Sequence, residues 1–465
     1  MTQHRGIHFE VSERKLLLRL LDLFMMGLGI YLLPLVVEFE YLLFQPGNTT
    51  AFFILALYYS VFATVFELYE LYPASKFFVT FRNAVMALAV VVLFYLLTPV
   101  LTPFLPEDRI QILYFFTGIL STVLFGRSLY IFLLESPRFY KRVLLVGEVT
   151  QMGNVLESLR KYSPNYQVVG FVNSEIYDGE GVSFKGLTEF PGHQLLDTLV
   201  DQQVSELIVA QFDVESMDDN IYDQLLLLME RGFKVRDFTQ VYEELLLRVP
   251  IQYIGKDFYR YFPFSRNNEN QLYLFFRRFF DILLSILGLL VGIGFLPFIL
   301  LGNLLGSRGP LFYTQVRIGQ HGKPFNIFKL RTMIPNAEKD NVAQWAEKGD
   351  LRITFFGNVL RRSRLDEIPQ FWNVLKGDMS FIGPRPERPY FVKALAESIP
   401  FYEARHSIKP GLTGWAQVKS RYGSSFDDSR LKLEYDLYYI KHRSLFLDLN
   451  IFVKTISTVL YYRGQ

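Results

Sequence analysis

Long apolar runs decide what this chain can fold into. Four of them fill its first third, at 16–37, 50–69, 84–100 and 110–134. Each approaches the ~20 residues a helix needs to cross ~30 Å of hydrocarbon. A helix is the expected form there, because it satisfies its own backbone groups without water. Half of the 465 residues are apolar and mean hydropathy is +0.19, ordinary for a membrane protein that carries water-facing domains. Such a length suits roughly two to four folding units.

Charge orients the bundle. The arm carrying His4, Arg5, Arg14, Lys15 and Arg19 is basic, as is the loop around Lys76 and Arg82. Arg138, Lys141 and Arg142 follow the fourth run. The loop near 46–50 has no Lys or Arg, and the loop near 99–109 has one. By the positive-inside rule both ends of the bundle face the cytoplasm. No small-residue cleavage site follows the first run, so it reads as an anchor and not as a removed signal peptide. A helical bundle buried in a soluble protein is the other reading, and it fits the run lengths and alternating loop charge less well. The net charge of +2 identifies no partner. Cysteine is absent, which excludes disulfides, zinc–thiolate sites and cysteine nucleophiles.

After the bundle the rhythm changes. Val143-Leu144-Leu145-Val146-Gly147 reads as the first strand of a parallel sheet. Helices near 154–161, 195–202 and 222–231 alternate with strands at 168–172, 206–210 and 233–237. This β-α-β order predicts a small doubly wound domain. Its first turn lacks the Gly-x-Gly-x-x-Gly fingerprint, and Glu148 stands where glycine would have to approach a pyrophosphate. A regulatory or oligomerisation role is therefore favoured over a bound dinucleotide.

A fifth apolar run, 279–302, is about long enough to span. Arg277 and Arg278 precede it and Arg308 follows, so both ends prefer the cytoplasmic side. A helix meets that demand by entering one leaflet, turning and returning. Pro297 supplies a membrane break, since it removes a backbone donor and clashes with the preceding turn. Gly288, Gly292 and Gly294 allow bending or close packing nearby. The expectation is a re-entrant helix-break-helix. The alternative, a fifth spanning helix, would put the C-terminal third outside.

Downstream come Gln315-Val316-Arg317-Ile318-Gly319 and Phe328-Lys329-Leu330-Arg331-Thr332-Met333. Next is Arg361-Arg362-Ser363-Arg364-Leu365-Asp366-Glu367-Ile368-Pro369-Gln370. Then follow Gly377-Asp378-Met379-Ser380-Phe381-Ile382-Gly383-Pro384-Arg385-Pro386 and Pro410-Gly411-Leu412-Thr413-Gly414-Trp415-Ala416-Gln417-Val418. These residue types suit phosphoryl transfer. A carboxylate can attack phosphorus, and a second can hold Mg²⁺ or move a proton. Arginine forks orient phosphate oxygens. On residue types alone, Asp366 and Glu367 are also compatible with a cap or a surface salt bridge.

These five blocks, following a proline-bearing hydrophobic segment, resemble the bacterial sugar transferases called monotopic phosphoglycosyl transferases, from Tyr273 to the C-terminus. The preceding bundle and degenerate Rossmann-like domain are similar to the large subclass, which initiates exopolysaccharide and O-antigen synthesis. The resemblance implies a four-helix transmembrane domain at 1–136 and a Rossmann-like (CoA-binding-like) α/β domain at 137–265. It also implies an α-rich, α+β catalytic domain at 266–465 with its re-entrant helix at 273–305. The implied reaction moves a sugar 1-phosphate from a UDP-sugar to undecaprenyl phosphate with Mg²⁺, releasing UMP. By motif position Asp366 is then the nucleophile and Glu367 a metal partner or general base, and the two are the implied Mg²⁺ ligands. Arg361, Arg385 and Lys329 are phosphate contacts. Arg331, Pro384, Pro386, Thr413, Trp415 and Gln417 are weaker pocket candidates. The implied setting is the cytoplasmic face of the bacterial inner membrane, as a homodimer with lipid and no nucleic-acid partner. Leu296 departs from the family pattern, in which several members carry Ser before the hairpin proline.

Two amphipathic stretches, 389–397 and 445–462, read equally as interfacial helices or as packed helices of the soluble fold. Other functions fit less. A membrane-bound nucleotide-sugar dehydratase or epimerase needs a glycine fingerprint that is missing from Gln271 onward. A non-enzymatic assembly scaffold would leave the carboxylate pair and the Gly-Pro-Arg-Pro turn without a purpose.

Overall fold

The computed structural model describes residues 11–43, 46–69, 77–134, 140–162, 166–174, 186–211, 217–253, 268–306, 309–334, 337, 350–420 and 425–460. His4, Arg5, Lys76, Arg138 and Arg308, which entered the charge argument, lie outside these residues. Contacts divide the chain into two compact units, Met1–Leu246 and Leu247–Gln465.

The first unit opens with helices Val11–Val36, Thr49–Val65, Phe77–Leu96 and Ile110–Leu134, at the positions of the four apolar runs. The first, third and fourth are long and apolar enough to cross a membrane, and Thr49–Val65 is a shorter apolar helix. Glycines let the first and fourth helices pack closely. A Cβ at Gly29 would lie 2.5 Å from Thr122 Oγ1, and one at Gly126 would lie 2.6 Å from Met25. Between these helices lies a buried ion pair. Arg127 Nε donates to Asp22 Oδ1 at 2.8 Å and Nη2 to Oδ2 at 2.6 Å. Arg127 Nη1 donates to the Leu68 carbonyl at 2.9 Å, and the Tyr59 hydroxyl donates to Asp22 Oδ2 at 3.2 Å.

Five strands follow: β1 (Lys141–Gly147), β2 (Tyr166–Asn173), β3 (Thr188–Glu189), β4 (Glu206–Ala210) and β5 (Val235–Asp237). They form one parallel sheet in the order β3-β2-β1-β4-β5, as the β-α-β rhythm predicts. The centre of β1 is fully buried, which explains its unbroken apolar sequence. Gly147 is required where it stands: its φ is 151°, and a Cβ would lie 2.2 Å from the Ala210 carbonyl oxygen. The next helix, Val149–Tyr162, starts earlier than expected, directly behind Glu148. Ser174 and Gln211, just past the ends of β2 and β4, are buried and hydrogen-bond each other where a doubly wound sheet usually opens its crevice. A helix not anticipated from sequence, Phe238–Leu246, ends the unit.

The second unit runs from Leu247 to the C-terminus. Val249 and Ile251 are buried in its core beside Trp415 and Leu433, and the Val249 amide donates to the Glu434 carbonyl at 3.0 Å. The hydrophobic run is a single helix, Gln271–Gly306, that continues through Pro297. The separate helices on either side of a break that the proline suggested are not seen. Packing keeps both sides of Pro297 in one helical run: a Cβ at Gly288 or Gly292 would strike Phe371 or Ile368, and one at Gly302 would strike Phe356. Proline removes one backbone bond, which such packing can offset.

Strands β6 (Phe312–Ile318) and β7 (Pro324–Leu330) form an antiparallel hairpin, and β8 (Ser380–Ile382) pairs in parallel with β9 (Gly411–Thr413). Helices Phe355–Arg362, Gln370–Lys376, Pro389–Ser398, Phe426–His442 and Leu445–Leu460 pack around them. Both amphipathic stretches contribute to the core, through Phe391, Val392 and Leu395 and through Leu447, Ile451 and Val453. The second also exposes Leu445, Phe446 and Leu449; residues 461–462 lie outside the described chain.

Candidate active site

Asp366 and Glu367 occupy a one-turn 3₁₀ helix, Leu365–Glu367, between Phe355–Arg362 and Gln370–Lys376. Local sequence sets up this corner. Thr354 caps the first helix by accepting from the Gly357 amide at 2.9 Å. Gly357 lets that helix lie on the Thr332 backbone, since a Cβ would come within 2.0 Å of the Thr332 carbonyl oxygen. Arg364 then turns the chain with φ 59°, a left-handed conformation costing a non-glycine residue roughly 1–2 kcal/mol. Strain of that kind concentrates at functional corners.

Glu367 is held by three cations from three places. Its Oε1 lies 2.9 Å from Arg385 Nη2, 3.7 Å from Lys329 Nζ on β7 and 3.7 Å from Arg364 Nη1. Burial alone would raise its pKa, but Arg385, Lys329 and Arg364 outweigh burial and hold it at about 2. Asp366 goes the other way. Burial and the neighbouring Glu367 charge raise it to about 6, against the pull of Lys329, Arg361 and Arg364. Adjacent carboxylates thus have separate characters, one a fixed anion and the other near its proton at neutral pH. Asp366 Oδ1 is enclosed and accepts no hydrogen bond from the described residues, and among them Gln370 Nε2 is likewise without a partner.

Lys329 is itself positioned by an amide that the sequence did not advertise. Asn373, fully buried, accepts from the Phe328 amide at 3.0 Å and donates to the Asn326 carbonyl at 2.7 Å. It ties the helix after the carboxylates to β7 on the residue before Lys329. Burial lowers the Lys329 pKa against the attraction of Glu367.

Asp366, Glu367, Lys329 and Arg385 are brought together. Arg361 lies close behind, its Nε donating to Thr332 Oγ1 at 2.9 Å. Pro384 and Pro386 flank Arg385 in the turn after β8. The other pocket candidates sit in the surrounding scaffold. Arg331 Nε donates to the Pro310 carbonyl at 2.8 Å. Thr413 Oγ1 meets Thr455 Oγ1 at 2.8 Å, and Gln417 Nε2 donates to the Leu412 carbonyl at 3.2 Å. Trp415 is 1% exposed and donates its indole N–H to the Leu247 carbonyl at 2.9 Å. The block around Thr413 holds the Arg385 turn from behind: the Gly383 amide donates to the Thr413 carbonyl and the Gly411 amide to the Pro384 carbonyl, both at 2.8 Å. Arg364 belongs to the same arginine run as Arg361, but the left-handed corner that aims it at Glu367 has no signal in sequence.

Among the described residues no group of three His, Asp or Glu forms a metal cage. Asp366 and Glu367 are the residues that would hold Mg²⁺, with substrate phosphates and water completing the shell, as is usual for that ion. The unpartnered Asp366 oxygen fits this use. Glu367 fits it less well, because its Oε1 already meets three cations.

Comparison with known proteins agrees with this chemistry. The family model described as "Bacterial sugar transferase" matches residues 272–462. A UDP-N-acetylgalactosamine-undecaprenyl-phosphate N-acetylgalactosaminephosphotransferase of Aeromonas hydrophila is 43% identical over 229 residues, 49% of this chain and 52% of that protein. A UDP-glucose:undecaprenyl-phosphate glucose-1-phosphate transferase of Escherichia coli (strain K12) is 40% identical over 178 residues, 38% of each chain. The chain thus spans about half or less of the length of these relatives. The uncharacterized sugar transferase EpsL of Bacillus subtilis (strain 168) is 41% identical over 159 residues, 33% of this chain and 72% of that protein. With a relative of that identity covered over most of its length, the chain belongs to the bacterial sugar transferase family.

Proposed function

We propose that this protein transfers a sugar 1-phosphate from a UDP-sugar to undecaprenyl phosphate, releasing UMP, as the first membrane step of exopolysaccharide or O-antigen synthesis. One observation carries the reading: a buried, under-solvated Asp366 beside a Glu367 whose charge is spent on Lys329, Arg364 and Arg385. The names of the relatives supply the substrate class.

An Asp366 carboxylate oxygen attacks the β-phosphorus of the UDP-sugar. A phosphorus–oxygen bond forms, the bond to the bridging oxygen breaks, and UMP leaves with that electron pair. A phosphate oxygen of the lipid then attacks the same phosphorus and returns Asp366 as a carboxylate. Glu367 stays ionised throughout and keeps Arg385 and Lys329 aimed at the phosphate oxygens, an orienting role rather than that of a base. Asp366 would hold a Mg²⁺ ion, which when bound would supply neutralisation of phosphate charge.

The long helix supports a lipid acceptor met from one side. Arg278 donates to the Val374 and Leu375 carbonyls, each at 2.6 Å, and the Phe381 amide donates to Asp281 at 2.8 Å. Farther on, Gly288 abuts Phe371, Gly292 abuts Ile368 and Phe298 meets Phe356. Gln271–Gly306 is long and apolar enough to cross a membrane, but it touches the rest of its unit at points from residue 278 to residue 302, and those contacts favour a helix that lies along one leaflet. Its outer face, including Phe279, Ile286, Leu290 and Leu301, is exposed and apolar, which suits insertion into one leaflet with the active site on the cytoplasmic side. A homodimer completes the reading on the general prevalence of two-fold assemblies.

UMP release by the purified protein tests the proposal, over a panel of UDP-sugars with undecaprenyl phosphate and Mg²⁺. The expected result is release with at least one sugar. No release from any of them sinks the reading.

A further inference from the structure

Arg385 reaches Glu367 from a short turn whose backbone is gripped residue by residue. The Pro384 carbonyl accepts from the Gly411 amide at 2.8 Å, and the Glu387 carbonyl accepts from the Ile318 amide at 2.9 Å. The Pro386 carbonyl accepts from Arg317 Nη1 at 3.2 Å. The Arg385 carbonyl accepts from Arg405 Nη2 at 3.0 Å. Four consecutive carbonyls are therefore held by four different residues.

Arg405 is the one donor among them that stands in an ion pair closed off from solvent. It is 6% exposed and lies in the 3₁₀ helix Tyr402–Ser407. Its Nη2 is 2.7 Å from Asp436 Oδ2 on helix Phe426–His442, and its Nη1 donates to the Tyr402 hydroxyl at 2.6 Å. Asp436 and Tyr402 are buried too. A buried ion pair is a poor source of stability, because desolvation cancels most of the attraction. What it supplies is a rigid fork of donors at a fixed place. Here one prong of that fork ends on the backbone of the residue that pairs with Glu367.

We infer that Arg405, anchored by Asp436 and Tyr402, is a positioning residue for the transfer reaction: it fixes the Arg385 backbone so that the guanidinium stays on Glu367 and faces the phosphate. Arg405 touches neither carboxylate of the site. The inference rests on the proposed reaction, because Arg385 is given a phosphate to hold there. Loosening the turn weakens the Arg385–Glu367 contact and leaves the Glu367 charge less balanced.

The test replaces the ion pair without leaving a lone buried charge. In Arg405→Met combined with Asp436→Leu, an apolar pair of similar bulk keeps the core filled. The expected result is a roughly 10- to 100-fold loss of kcat for UMP release, the size of effect that misplacement of a reacting group produces. KM for the UDP-sugar should rise as well, because Arg385 faces its phosphate, and a mere fall in folded fraction would not raise KM. Added to Arg385→Ala, the same pair should cost little more than Arg385→Ala alone. Activity within twofold of the parent, an unchanged KM, or losses that multiply with Arg385→Ala would each overturn the inference. If the apolar pair does not fold, Tyr402→Phe removes one anchor and leaves the ion pair. A smaller loss with the same rise in KM supports the role, and parental behaviour overturns it. If the parent itself releases no UMP, the reaction proposed above fails separately. UDP affinity by calorimetry then reads the turn: weaker binding in the variant keeps the positioning role, and equal binding removes it.

Discussion

Two carboxylates of this chain are hidden to a similar degree and are treated in opposite ways. Asp22, 1% exposed within the helical bundle, gives both oxygens to the Arg127 fork and one of them also to Tyr59. Asp366, 8% exposed in the second unit, has cations in its vicinity, yet its Oδ1 accepts no hydrogen bond from the described residues. The first arrangement satisfies every demand that burial makes on a charge. The second leaves a deficit that a substrate phosphate group or cation can relieve. Burial alone does not mark a functional acid; burial with incomplete pairing does.

Substituting each acid should separate the two cases. Asp366→Asn is expected to lower UMP release by roughly a thousandfold or more. Its thermal midpoint should hold or rise. The raised pKa of Asp366 favours folding only while the group is protonated, and that benefit is lost as pH rises through about 6. At pH 7 the ionised group therefore burdens the fold, and a neutral amide lifts the burden. Substantial activity in this variant would defeat the nucleophile assignment. Asp22→Ala should do the reverse. It strands Arg127 and costs about 3–5 kcal/mol of stability, read by thermal unfolding in detergent. UMP release per folded molecule should be unchanged; a specific loss of turnover would mean that the bundle pair serves the chemistry.

Asn373→Leu lies between these extremes. It removes the partners of the Phe328 amide and the Asn326 carbonyl, at about 1–3 kcal/mol, and frees β7 next to Lys329. Both stability and turnover should fall together, and loss of one without the other would show that Asn373 does not couple them. The finest expectation concerns pH. The acid limb of kcat/KM should fall near pH 6, where Asp366 loses its nucleophilic form. Glu367→Gln removes a charge that raises the Asp366 pKa, so the limb should move to lower pH in whatever activity remains. An upward shift would reverse the assigned electrostatics.

Much of this architecture was readable in advance. Strand β4 occupies the residues its apolar run marked, and four apolar helices stand where the N-terminal runs placed them. Asp366, Glu367, Lys329 and Arg385 came from motif blocks because those blocks are continuous in sequence. The parts that escaped depend on distant pairing. Asp22 and Arg127 are 105 positions apart, and Arg405 and Asp436 are 31 apart. Neither pair alters local periodicity. The course of the helix through Pro297 escaped for a related reason, since glycine contacts with Phe371, Ile368 and Phe356 override a local breaker.

The helix Gln271–Gly306 has a practical consequence. Its inward face is a wall of the catalytic unit, supplying Asp281 to the Ser380 hydroxyl and Ile299 to the cluster of Leu330, Phe356 and Leu360. Deleting it to obtain a water-soluble fragment would strip away that wall and leave its partners bare. This helix is therefore no tail that can be trimmed from its unit: a fragment that keeps the unit whole also carries the apolar face of Phe279, Ile286, Leu290 and Leu301 with it.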